Sequence, residues 1–100
     1  MKDLAREIDR HVGRRIRERR KQLGMSQTNL AEPLGLSSQQ FVKFEYGTNR
    51  VSAGRLFILA LLLDTDMKYF FAGAATYADK RRVRAARKFS EHPNLVRSRR

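Results

Sequence analysis

The stretch GMSQTNLAEPLGLSSQQFVKFEYG, residues 24–47, decides the fold. Ser26 is a good cap for a helix, and Leu30, Ala31 and Leu34 recur on one face after it. Gly35 supplies a sharp corner, because a residue without Cβ takes a positive φ freely. A second helix opens at Ser37, which with Gln40 fits the S-x-x-Q capping box. Phe41 and Phe44 point to a core, and Gly47 ends the helix. Two short helices joined by a tight turn form the arrangement that sets its second helix into the major groove of DNA.

Outward from this stretch the pattern stays helical. Residues 12–23 predict a first helix with Ile16 and Leu23 inward and Arg14, Arg15, Arg17, Arg19, Arg20 and Lys21 around the remainder, closed by Gly24. Leu4, Ile8 and Val12 fall at i+4 spacing, so two readings stand for the start: a helix that begins early, or a frayed end. Helix two is expected over about 27–34 and the recognition helix over about 38–46. After the loop GTNRV, Ser52 can cap a fourth helix running to Leu63, and Asp66 a short fifth through Phe71. Gly73 and the small residues after it read as a linker. The remainder, including KRRVRAARK and SEHPNLVRSRR, is basic and is divided by Pro93.

The segment and its flanks, from Val12 to about Phe71, resemble the Cro/cI-type (XRE-like) helix-turn-helix regulators. The resemblance rests on GRRIRERRKQLGMSQ before the turn, FVKFEYGTNR across the second helix, and RLFILALLLDTDMKYFF after it. It implies an all-α, compact five-helix, lambda-repressor-like domain acting as a dimer on a two-fold-related operator. The expected organisation is an N-terminal extension (1–11), the helix-turn-helix domain (12–73) and a basic C-terminal tail (74–100), which can be partly helical. Two departures stand out. Pro33 lies inside a helix that the family leaves unbroken, and helix four is far more apolar than usual.

Composition narrows the partner. One hundred residues suit one small domain, and 22 Lys and Arg against 10 Asp and Glu give a formal net charge of +12. That excess favours a polyanion: DNA, RNA or an anionic membrane surface. The absence of Cys excludes disulfides, thiolate zinc sites and cysteine nucleophiles. The charged start KDLAREIDR shows no secretory signal, and the apolar run from Leu56 to Leu63 is too short to span a bilayer. A cytoplasmic, nucleoid-associated protein without a membrane partner is expected. His11 and His92 lack metal-ligand spacing, the carboxylates are scattered among arginines, and no nucleophile motif or Gly-rich phosphate loop is present. No enzyme activity, metal or cofactor is expected.

Ser38, Gln39, Val42, Lys43 and Tyr46 share the face of the recognition helix opposite Phe41 and Phe44. Gln39 can bond adenine N6 and N7, Lys43 can donate to guanine O6 and N7, and Val42 can touch a thymine methyl. A solvated helix face is the plainer alternative. Gln40 is already explained by the capping box, and is a weaker candidate for DNA contact. Thr48, Asn49 and Arg50 follow the helix, where Arg50 can reach a phosphate; Ser38 is a further backbone clamp. By resemblance, Gln27 contacts backbone phosphate, and Arg20 and Glu45 form a structural ion pair joining helix one to the recognition helix.

In helix four, Leu56, Leu59, Ala60 and Leu63 suffice for a core stripe, closed by Met67, Phe70 and Phe71. Phe57, Ile58, Leu61 and Leu62 form a second stripe, and a helix apolar on all sides should be covered on all sides. A second subunit fits that need better than the tail, so these four residues are the expected homodimer interface. The tail reads either as a basic arm along DNA phosphates or as a solubilising segment. The whole reads as a sequence-specific regulator of double-stranded DNA. The alternative is an antitoxin-type protein that also grips a partner protein.

Overall fold

A single long helix, α1 (Lys2–Gln22), is the spine against which the third and fifth helices and the last turn pack. The computed structural model describes residues 2–77 together with Arg84 and Arg87. The basic-tail reading therefore lies almost wholly outside the described residues. Among these there are five α-helices, two 3-10 turns and no strand: α1, α2 (Gln27–Ala31), α3 (Ser38–Glu45), α4 (Ala53–Leu62) and α5 (Met67–Phe71), with turns at Glu32–Leu34 and Ala74–Tyr77. The fold is all-α.

The inward row of α1 runs at i+4 spacing. Leu4, Val12, Ile16 and Arg20 are buried; Val12 and Ile16 belong to the central core, and Ile8 packs against it. The early start is thus the correct reading of Leu4, Ile8 and Val12. Leu23 does not continue the row; it is exposed, because the helix ends at Gln22 and the chain turns through Gly24. The core itself draws Leu30 and Ala31 from α2, Phe41 and Phe44 from α3, Leu56, Leu59 and Ala60 from α4, and Phe70 from α5. Phe71 is exposed rather than closing the bundle: neighbours on a helix differ by about 100°, so Phe70 takes the inward place.

Each short helix is started by its own sequence. Ser26 and Asn29 form a reciprocal capping box at α2, with Ser26 Oγ accepting from Asn29 N at 3.1 Å and Ser26 N donating to Asn29 Oδ1 at 2.8 Å. Ser37 and Gln40 do the same for α3, at 3.1 and 2.9 Å. Ser52 accepts from Arg55 N and Asp66 from Tyr69 N, which starts α4 and α5. These bonds satisfy donors that every helix N-terminus leaves free.

Pro33 corrects the expectation of an interrupted helix. α2 has already ended at Ala31, and Pro33 lies in the opening positions of a 3-10 turn. Gly35, at φ 71°, then closes the corner: Gly35 N donates to Glu32 O at 2.9 Å and Leu36 N to Ala31 O at 3.0 Å.

Candidate nucleic-acid interface

α3 is held to α1 by a buried charge pair and by backbone contact. Arg20 Nε donates to Glu45 Oε2 at 2.6 Å and Arg20 Nη2 to Glu45 Oε1 at 3.0 Å, a two-pronged bond that fixes both side chains. Both residues are buried, and Arg20 Nη1 donates to the carbonyl of Met25 at 3.0 Å. The pair therefore ties α1, the turn before α2 and the end of α3 at one point. Gly13 supplies the second restraint. A Cβ there would stand 2.4 Å from Phe44 O and 2.6 Å from Glu45 O, so only glycine lets the helices lie this close.

Gln27 belongs to the same cluster. Its Nε2 donates to Glu45 Oε1 at 3.1 Å, which fixes the amide orientation and leaves a second N–H on that nitrogen. A first-turn residue of α2 is thereby oriented by the last turn of α3.

The opposite face of α3 is open. Gln39, Lys43 and Tyr46 are exposed, and Ser38 and Val42 are half-buried at its margin. Gln40 spends its side-chain oxygen on Ser37 N, as a capping residue does. Thr48, Asn49 and Arg50 are exposed on the loop beyond Gly47, with Arg50 Nε 3.8 Å from Asp9 Oδ2. The loop leaves α3 through Gly47, at φ 74°, where a Cβ would meet Arg10 Cα at 2.6 Å.

The arginines of α1 are not all a solvated face. Arg19 donates to Leu63 O at 2.8 Å and Asp64 O at 3.0 Å, capping the C-terminus of α4. Arg15 donates to Tyr69 O at 2.9 Å in α5 and lies 3.8 Å over the Tyr69 ring. A cation on the carbonyl end of a helix meets both free acceptors and the helix dipole. Farther up α1, His11 Nε2 donates to Ala72 O at 2.7 Å, and Arg14 reaches the Tyr77 hydroxyl. Arg17 and Lys21 are exposed, as expected of solvated charges. Sequence reasoning missed Gly13, Arg15 and Arg19. An isolated glycine inside a helical pattern was the available signal for the first; nothing local marks which arginines will find carbonyls.

On α4, Phe57, Ile58 and Leu61 are 56%, 40% and 66% exposed. Leu62 departs from that stripe and packs, half-buried, against the core. Among the described residues no group of three His, Cys, Asp or Glu could hold a metal ion, and no helix is long and apolar enough to cross a membrane.

Residues 16–70, more than half of the chain, match the helix-turn-helix family model. The chain belongs to the XRE-like helix-turn-helix family. Over 67 residues it is 52% identical to an "Uncharacterized HTH-type transcriptional regulator" of Sinorhizobium medicae (strain WSM419), covering 67% of this chain and 48% of that protein. It is 46% identical over 65 residues to an "Uncharacterized transcriptional regulator in ATPase CF(0) region" of Rhodospirillum rubrum, covering 65% and 60%. A third helix-turn-helix relative, from Rickettsia conorii, is 39% identical over 71 residues, covering 71% and 57%. The matched segment thus spans about half to three fifths of these relatives' lengths. No solved structure matches the chain.

Proposed function

We propose that this helix-turn-helix protein is a transcription regulator that binds double-stranded DNA sequence-specifically, as a homodimer on a two-fold-related operator. The observation that carries the reading is the open face of α3, backed by the buried Arg20–Glu45 pair and the Gly13 contact. A rigid helix with Gln39 and Lys43 exposed on its outer face has the donors that base edges in the major groove accept. Val42 and Tyr46 flank them, and Ser38, Gln27, Thr48, Asn49 and Arg50 are the proposed contacts to backbone phosphates. The relatives' names point the same way, since each is called a transcriptional regulator.

A second copy is the occupant proposed for the α4 patch. Phe57, Ile58 and Leu61 leave a contiguous apolar surface on one helix, which a two-fold axis could bury against itself. The test is to enrich duplexes bound by the purified chain from a random pool and to sediment the complex. Two-fold-related half-sites, centred about one helical turn or a multiple apart, with two chains per duplex, are expected. Enrichment of no sequence would overturn the reading. A single chain on a lone half-site would remove the homodimer and leave the apolar patch to a different protein.

A further inference from the structure

α1 begins at Lys2, well before the family-matched segment at residue 16, and its early turns lie against the recognition unit. The Gly13 and Gly47 contacts bring the α1 backbone against the end of α3. One and two turns earlier on α1 come Asp9 and Arg6. With Gln40, Thr48, Arg50 and Arg55 they line a groove of about 980 Å³ between α1, α3 and the start of α4. Three arginines face one carboxylate there. Among the described residues the Arg6 and Arg55 side chains have no hydrogen-bond or ion-pair partner, whereas Arg15, Arg19 and Arg20 each donate to carbonyl groups of other elements or of the turn before α2. Among the described residues Asp9 pairs with Arg50 alone, at 3.8 Å. Unpaired guanidinium groups beside polar donors form a site for phosphate oxygens.

We propose that this groove holds a phosphodiester of the DNA backbone flanking the bases faced by α3, with Arg6 and Arg55 supplying the contacts. This rests on the DNA-binding reading above and adds to it a site supplied partly by the helical turns ahead of the matched segment. Arg6 lengthens the footprint on one strand by a contact that carries no base information. The groove shares Gln40, Thr48 and Arg50 with the recognition unit, so a backbone entering it remains continuous with the duplex that α3 faces.

The test uses the full chain with Arg6→Gln and Arg55→Gln together, beside a charge-matched control, Arg17→Gln with Lys68→Gln. Circular dichroism melts confirm that both are folded. Binding to the best duplex and to a scrambled duplex is titrated at several salt concentrations. The groove variant should weaken both duplexes by a common factor and flatten log K against log salt by about 0.9 for each phosphate that a protomer no longer neutralises. The control should keep the wild-type slope. Equal flattening in both variants, or in neither, would overturn the proposal. A free anion is separated by following the Arg6 and Arg55 Nε–H resonances while inorganic phosphate replaces chloride at constant ionic strength. Saturable phosphate binding, with the DNA slope of the groove variant unchanged, would assign the groove to a free anion and overturn the DNA assignment. If the wild type itself prefers no duplex, the parent reading fails; if it does and the groove variant keeps its slope, only this inference fails.

Discussion

Gly13 of α1 packs directly against the main-chain carbonyl of Phe44 in α3, leaving no room for a Cβ. In an exposed helix interior, glycine would cost about 1 kcal/mol relative to alanine. Here the ranking is reversed, because the obstruction is backbone on both sides and cannot rotate away. Gly13→Ala should destabilise the protein by about 1–3 kcal/mol, as forced overpacking does, and should shift the amide resonances of α3. A melting temperature at or above that of the wild type would show that α1 and α3 can part at no cost.

The Arg20–Glu45 pair is buried at the same junction, so removing one partner strands the other charge. Glu45→Ala should cost about 3–5 kcal/mol in a denaturant titration. It should also release Gln27, whose amide donates to Glu45 Oε1 at 3.1 Å. A destabilisation below about 1 kcal/mol, the range of surface pairs, would mean that water reaches the site.

Much of this arrangement is legible in the sequence because its determinants are local. Ser26, Ser37, Ser52 and Asp66 cap within three residues of themselves, so the helix starts can be read one by one. Phe41 and Phe44 follow helical spacing into the core. What escaped reading depends on contacts between distant segments. Arg19 finds the end of α4 across 44 residues, and Arg15 finds Tyr69 across 54. Nothing in RRIRERR distinguishes a capping arginine from a solvated one. Leu62 and Phe71 likewise depart from expectation: Leu62 packs half-buried against the core, and Phe71 stays exposed because Phe70 takes the inward place.

Pro33 offers a test of how the corner is built. In a regular helix interior it would cost about 3 kcal/mol, and alanine would stabilise. In the 3-10 turn it occupies a compatible position and restricts the unfolded chain. Pro33→Ala should therefore leave stability unchanged or lower it by up to about 1 kcal/mol. A clear rise in melting temperature would show that the proline strains the turn.

The α4 patch makes a prediction about assembly. Ile58→Lys with Leu61→Glu replaces two exposed apolar side chains, each worth roughly 1.5–3 kcal/mol when buried. The double variant should keep the wild-type circular dichroism spectrum, sediment as a monomer and bind two-fold-related duplexes more weakly. An unchanged dimer would place the interface elsewhere.

The central claim is that the open face of α3 reads bases, and Gln39→Ala tests it most directly. Wild type and variant are titrated against the best duplex and its single-base-pair substitutions at several salt concentrations. A good bidentate contact discriminates by about 1–3 kcal/mol. The variant should lose preference at one position per half-site while non-specific binding and the salt slope stay nearly intact. Equal weakening of every duplex, with a reduced salt slope, would place Gln39 on the backbone and contradict the account.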